Sequence, residues 1–95
     1  MAHRVVWSRR ALADLEAIAA FIAEDSRSYA KTVVRKIIGL TRNLRSFPRS
    51  GRVVPEFENE DVRELIAYSY RIIYRVEANE VVIAAVIHGK RILQP

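Results

Sequence analysis

Apolar and polar positions change rhythm along this chain, and each rhythm predicts an element. Leu12, Leu15, Ile18, Ala19 and Ile22 recur at helical spacing and form one stripe through residues 9–24, with Asp14, Glu16 and Glu24 off it. Ser8 stands where an N-cap hydroxyl would accept a first-turn N–H. "EDSRS" breaks this pattern, with Ser26 or Ser28 available to cap a second helix. Tyr29, Val33, Ile37, Leu40, Leu44 and Phe47 then follow at intervals of three and four, and Pro48 ends the run. Lys31, Arg35, Lys36, Arg42 and Arg45 fall mostly on the rest of that helix. Two helices joined by a short polar turn pack as an antiparallel hairpin.

Elsewhere the period is that of strands. "HRVVW" at residues 3–7 is β-branched and aromatic. "PRSGRVVPE" reads as a turn region, and "EFENED" as an acidic loop. "VRELI" predicts a short strand. "YRIIYRV" and "EVVIAAVIH" predict two long ones around "EAN", where Asn79 tolerates a left-handed backbone. Both alternate sets of residues 81–87 are apolar, as in a strand inside a sheet and buried on both faces. The predicted order is β-α-α-β-β-β, an α+β fold with a helical hairpin on one side of a small, mostly antiparallel sheet.

Composition narrows the class. The 95 residues predict one domain spanning positions 1–95, and 51% hydrophobic with 28% charged residues is an ordinary globular balance. Without cysteine there is no disulfide framework and no thiolate site, and His3 and His88 alone cannot hold zinc. No metal and no cofactor are expected. "MAHRVVW" lacks the apolar core of a signal peptide, and no apolar stretch approaches the ~20 residues of a membrane span. A cytoplasmic protein is the expectation.

Charge is divided unevenly. The net +5 comprises +7 over residues 1–52 (eleven Lys/Arg, four Asp/Glu), −4 over residues 53–70 (one arginine, five acids) and +2 over residues 71–95 (four cations, two acids). A basic surface suits nucleic acid, ribosomes or an acidic protein, and equally a solvated helix face.

The polar groups on or beside the predicted sheet are Glu56, Arg63, Arg71, Arg75, His88, Lys90 and Arg91. Arg71 and Arg75 lie four apart on one strand and face the same side, with Ile73 between them. Two arginines on a partly open face either snorkel over apolar surface or grip phosphate. Ribonucleases need a base for the 2′-hydroxyl, a cation for the phosphorane and an acid for the leaving oxygen. Glu56, Arg71 and His88 can fill those roles only if they converge, and spacing does not settle that. His88 ends a strand, where it is either a titratable acid or a structural side chain. No GxSxG, nucleotide-cradling glycine loop or RNA-binding signature is present.

"VVWSRRALADLEAIAAFIAEDS", "LRSFPRSGRVVPEF", "VRELIAYSYRIIYRV" and "VVIAAVIHGKR", in that order, resemble the RelE/ParE superfamily of type II toxin–antitoxin toxins over nearly the whole chain. The resemblance implies the fold read above and two different activities on it. RelE-type toxins cleave mRNA in the ribosomal A site; ParE-type toxins poison DNA gyrase on broken DNA. Glu56 after Pro55, Arg71 and His88 match positions of one nuclease branch, and Arg63 would join them in such a site. That branch places tyrosine after the histidine, where this chain has Gly89. The lysine-rich loop of the other nuclease branch is also missing, since residues 49–61 hold four acids and no lysine. "FPRSGR", "RELI" and "HGKR" look more like the ParE side. The ParE-like reading is therefore preferred, with mRNA cleavage on ribosomes as the alternative. It implies gyrase as target and a cognate antitoxin that wraps the toxin with an acidic segment. Arg75, Lys90 and Arg91 are the candidate partner-binding residues, and the basic helices and the tail "KRILQP" the candidate surfaces.

Overall fold

The computed structural model describes residues 2–94. Strand β1 (Arg4–Trp7) leads into helix α1 (Arg9–Ala23), which turns back through α2 (Arg27–Arg42) and a 3-10 turn at Asn43–Arg45. Ser8 caps α1, its Oγ accepting the Ala11 N–H at 3.0 Å, and Ser26 caps α2 in the same way through Tyr29. α2 stops well before Pro48. Strands β2 (Arg52–Val53), β3 (Val62–Ala67), β4 (Tyr70–Val76) and β5 (Glu80–His88) follow. They form one five-stranded sheet in the order β1-β5-β4-β3-β2, antiparallel except for the parallel β1–β5 pair. The two-residue β2 adds an edge strand inside the stretch read from sequence as a turn.

The helices cover one face of this sheet. Val33, Ile37 and Leu44 from α2 and its extension, with Ala11 from α1, meet Ile72, Tyr74, Val81 and Ile83, all but free of solvent. The α1 stripe is rotated slightly from its predicted centre. Ala11 is buried while Leu12 faces solvent. A smaller cluster lies on the outer face, where Val54, Ile73, Ala85 and Ile87 are joined by Phe57, Val62 and Leu93.

β5 carries side chains of the same parity to opposite faces. Val81 and Ile83 point to the helices, yet Ala85 and Ile87 point outward. The register explains it: Tyr74 stands opposite Ile83 and Ile73 opposite Ala85, so Ala84 is an extra residue in a β-bulge. α1 satisfies the backbone groups that the bulge displaces. Ser8 Oγ donates to the Ala84 carbonyl at 3.1 Å, and the Val86 N–H donates to Asp14 Oδ2 at 2.9 Å.

The turns correct one expectation. Asn79 does not take the left-handed conformation, and its carbonyl accepts the Arg4 N–H. Among the described non-glycine residues, Tyr68 alone has positive φ, 56°, in the β3–β4 turn. Such a conformation costs on the order of 1–3 kcal/mol for a bulky residue. An edge-to-face contact with Tyr29, centroids 6.0 Å apart, helps to hold it.

Candidate functional site

The sequence left open whether Glu56, Arg63, Arg71 and His88 meet. Two of them do. Arg71 lies on the outer face of β4, only 6% exposed, because residues 54–57 and the C-terminal tail close over Ile73 beside it. That face is therefore not open at Arg71, as its position away from the helices implied. Arg71 Nη1 and Nη2 donate to Glu56 Oε2 and Oε1 at 2.7 and 2.8 Å, a two-pronged pairing of matched planar groups. Its Nε donates to Glu64 Oε1 at 2.6 Å, and Nη1 donates again to the Arg91 carbonyl at 2.8 Å. Four bonds occupy a side chain with five N–H groups. Little donor capacity remains for a phosphate.

Glu56 is equally committed. Besides Arg71, its Oε2 accepts the Leu93 N–H at 2.9 Å. The Arg71 guanidinium, followed by the Leu93 amide, lowers its pKa to about 2. A general base works best with a pKa near the operating pH, and this carboxylate is far below it. The Arg71 pKa is raised by its bonds to Glu56, with Glu64 adding to the effect.

Glu64 was not singled out from sequence, yet it anchors the network. It is fully buried in β3 and shared between Arg71 and Arg52. The available signal was a lone charge at mid-strand in "VRELIA", alternating with Val62 and Ile66 on one face. A carboxylate there must find cations.

His88 and Arg63 lie on the opposite face. His88 pairs across the strands with Tyr70, which packs on the helix-side core, and their rings meet edge to face at 6.0 Å. Its Nδ1 accepts the Lys90 N–H at 3.2 Å. Arg63 stands opposite Tyr74, four residues further along β4 and so roughly 13 Å along the strand direction from the level of His88, with β4 between them. It donates to the carbonyls of Glu60, Arg49 and Gly51, tying two loops together. Strand alternation therefore separates both residues from Glu56 and Arg71.

Of the candidate partner residues, Arg75 is exposed and paired with Glu77 at 2.7 Å. Lys90 and Arg91 are exposed beyond β5, and neither meets a carboxylate among the described residues. A shallow groove of 540 Å³ runs along the helical hairpin. Ala19, Ala20, Ala23, Ala30 and Val34 line it, and Arg27, Lys31 and Arg35 stand along its α2 side. No helix among the described residues is long and apolar enough to cross a membrane.

This architecture has solved counterparts. A chain of the chromosomal ParDE toxin–antitoxin system from P. aeruginosa superposes with a TM-score of 0.75 at 24% identity, covering 93% of this chain and 97% of that one. A chain of the RelBE2 toxin–antitoxin complex from Mycobacterium tuberculosis gives 0.66 at 21% identity, covering 93% and 99%. The YoeB dimer from Staphylococcus aureus gives 0.60 at 16%, covering 93% and 98%. At these identities the likeness shows the fold. No curated protein sequence matches significantly. The family described as "ParE toxin of type II toxin-antitoxin system, parDE" matches residues 5–93. With that match spanning both helices and the five strands save the first residue of β1, the chain belongs to the ParE toxin family of type II toxin–antitoxin systems.

Proposed function

We propose that this toxin arrests growth by poisoning DNA gyrase and that a cognate antitoxin neutralises it. One observation carries the choice of target. Glu56 and Arg71, the acid and cation that an mRNA nuclease would need, are each other's partners, while His88 projects from the other sheet face. Glu56, the base that such a set would need, is held far below the operating pH by Arg71 and the Leu93 amide. The acids of residues 56–61 also repel a polyanion beside that pair.

The antitoxin docks on the helical hairpin, its acidic amphipathic segment laying apolar side chains over the alanines of the groove. Arg27, Lys31 and Arg35 supply the complementary charge.

The experiment combines purified protein, gyrase, supercoiled plasmid and ATP, and looks for trapped linear DNA. Linear product that requires both proteins supports the reading. No product from folded protein that arrests growth, together with cleavage of mRNA on ribosomes, would overturn it.

A further inference from the structure

The tail beyond β5 does not leave the sheet. Gly89 N–H donates to the Ser69 carbonyl at 2.6 Å and the Arg91 N–H to the His88 carbonyl at 3.0 Å, turning the chain back over the outer face. Arg71 then grips the Arg91 carbonyl, and Glu56 grips the Leu93 N–H. Leu93 inserts its side chain into the cluster of Val54, Phe57, Ile73 and Ile87. Between these two grips Ile92 points outward, 76% exposed and the most exposed large apolar side chain described. Lys90 and Arg91 stand beside it, exposed.

A chain end without regular structure ordinarily frays. This one is tied by two charge-assisted hydrogen bonds from a largely buried ion pair, and the tie leaves an apolar side chain standing in solvent directly after two exposed cations. Folding alone gives no reason to hold Ile92 there. Binding does, because a preorganised apolar anchor beside charged groups loses little entropy on docking.

We infer that the Glu56–Arg71 pair is a latch that fixes the course of residues 91–93, and that the latched tail presents Ile92, Lys90 and Arg91 to an acidic, apolar-pocketed surface of the toxin's target. The two ends of one ion pair thus act as positioning residues, and Ile92 is the anchor. The target is the gyrase of the preceding section, so the second half of the inference rests on that reading. The latch itself does not.

Two measurements on the full chain separate the parts. Amide hydrogen exchange reads the latch: Glu56→Gln should accelerate exchange at Leu93 by on the order of tenfold or more, while Ile72 and Val86 in the core remain protected. The gyrase cleavage assay reads the anchor: Ile92→Ala should leave Leu93 exchange unchanged and lower the trapped linear product at least about tenfold. Leu93→Ser, which frees the tail without touching the ion pair, should reproduce both losses and replaces Glu56→Gln if that variant does not fold. Exchange of the residue-93 amide that stays within twofold of the parent in both Glu56→Gln and Leu93→Ser, after correction for the intrinsic rate of each side chain, overturns the latch. Full trapping by Ile92→Ala overturns the anchor. If the parent toxin traps no gyrase, the target reading fails while the exchange experiment still decides the latch, and growth arrest by Ile92→Ala then decides the anchor.

Discussion

The Nε of Arg71 lies 2.6 Å from an oxygen of Glu64, a carboxylate with no exposed surface of its own. A buried ion pair adds little over an apolar pair of the same shape, but breaking one from a single side strands a charge. Arg71→Met should therefore destabilise the toxin by about 3–5 kcal/mol in urea unfolding, although it removes no apolar contact. Glu56→Gln, at the more exposed end of the same arginine, should cost far less because Glu64 keeps its partner. Equal losses from the two variants would contradict this ranking.

Acid should act through Glu56 in a defined window. Its folded pKa of about 2 lies below the ordinary 4.5, so its contribution is fully present above 4.5 and is lost as pH falls through about 2. The raised pKa of Arg71 adds no titration in the accessible range, since the side chain stays charged in both folded and unfolded chains. The gap in urea midpoint between the parent and Glu56→Gln should be flat from pH 5 to 8 and close between pH 4.5 and 2. A gap that changes near neutrality would mean that another group is coupled to the pair.

His88 is a discriminating position. It is exposed at the end of β5, where its ring meets the Tyr70 ring edge to face and accepts the Lys90 amide N–H. His88→Gln should leave growth arrest intact and shift stability by no more than about 0.5 kcal/mol. A stable but non-toxic His88→Gln would restore the nuclease reading.

Gly51 sits where no side chain fits. A Cβ there would lie 2.5 Å from the Glu64 carbonyl oxygen and 2.7 Å from the Tyr74 hydroxyl, which accepts the Gly51 N–H at 2.9 Å. The first of these is backbone of a central hairpin and cannot swing aside. Gly51→Ala should cost on the order of 1–3 kcal/mol by overpacking, read as a lowered Tm.

Charge reversal on the helical hairpin should separate antitoxin binding from toxicity. Lys31→Glu with Arg35→Glu places two acids beside the alanine-lined groove, remote from the tail. The expected result is antitoxin affinity lowered at least about tenfold at moderate salt, with growth arrest retained when the toxin is expressed alone. Equal loss of both would place the target on the hairpin as well.

Much of this was readable in the chain. Ser8 announced the first helix start and left the second to Ser26 or Ser28, of which Ser26 is the cap; the apolar seams gave the hairpin, and "YRIIYRV" and "EVVIAAVIH" matched β4 and β5 in extent. What stayed hidden has a common physical cause. In β5 both alternations are apolar, so a one-residue slip at Ala84 leaves no trace in the pattern, yet it sends Ala85 and Ile87 to the outer face. Asp14 looked like a solvated residue off the helical stripe because its partner, the Val86 N–H, exists only once that slip is made. Glu64 is similar: its meaning depends on lying beside Arg71 and Arg52, and cross-strand register is not a local property. The positive φ of Tyr68 rests on Tyr29, distant in sequence. Separation of Glu56 and Arg71 from His88 follows from parity along β4 and β5, but only after the bulge is counted.

The strand order has a temporal consequence. β1 pairs with β5 and with no other strand, joining Arg4 to Glu80 across 76 residues. β5 is also the strand on which β4 closes, and it is the last to be synthesised. A nascent chain that has made both helices and four strands still lacks the strand that joins its two edges, and such non-local pairing forms late. Until β5 takes its place, β1 has no partner in the sheet and β4 is paired on one side only, so the fold is completed by a strand that lies at the far end of the described chain from the one it must join.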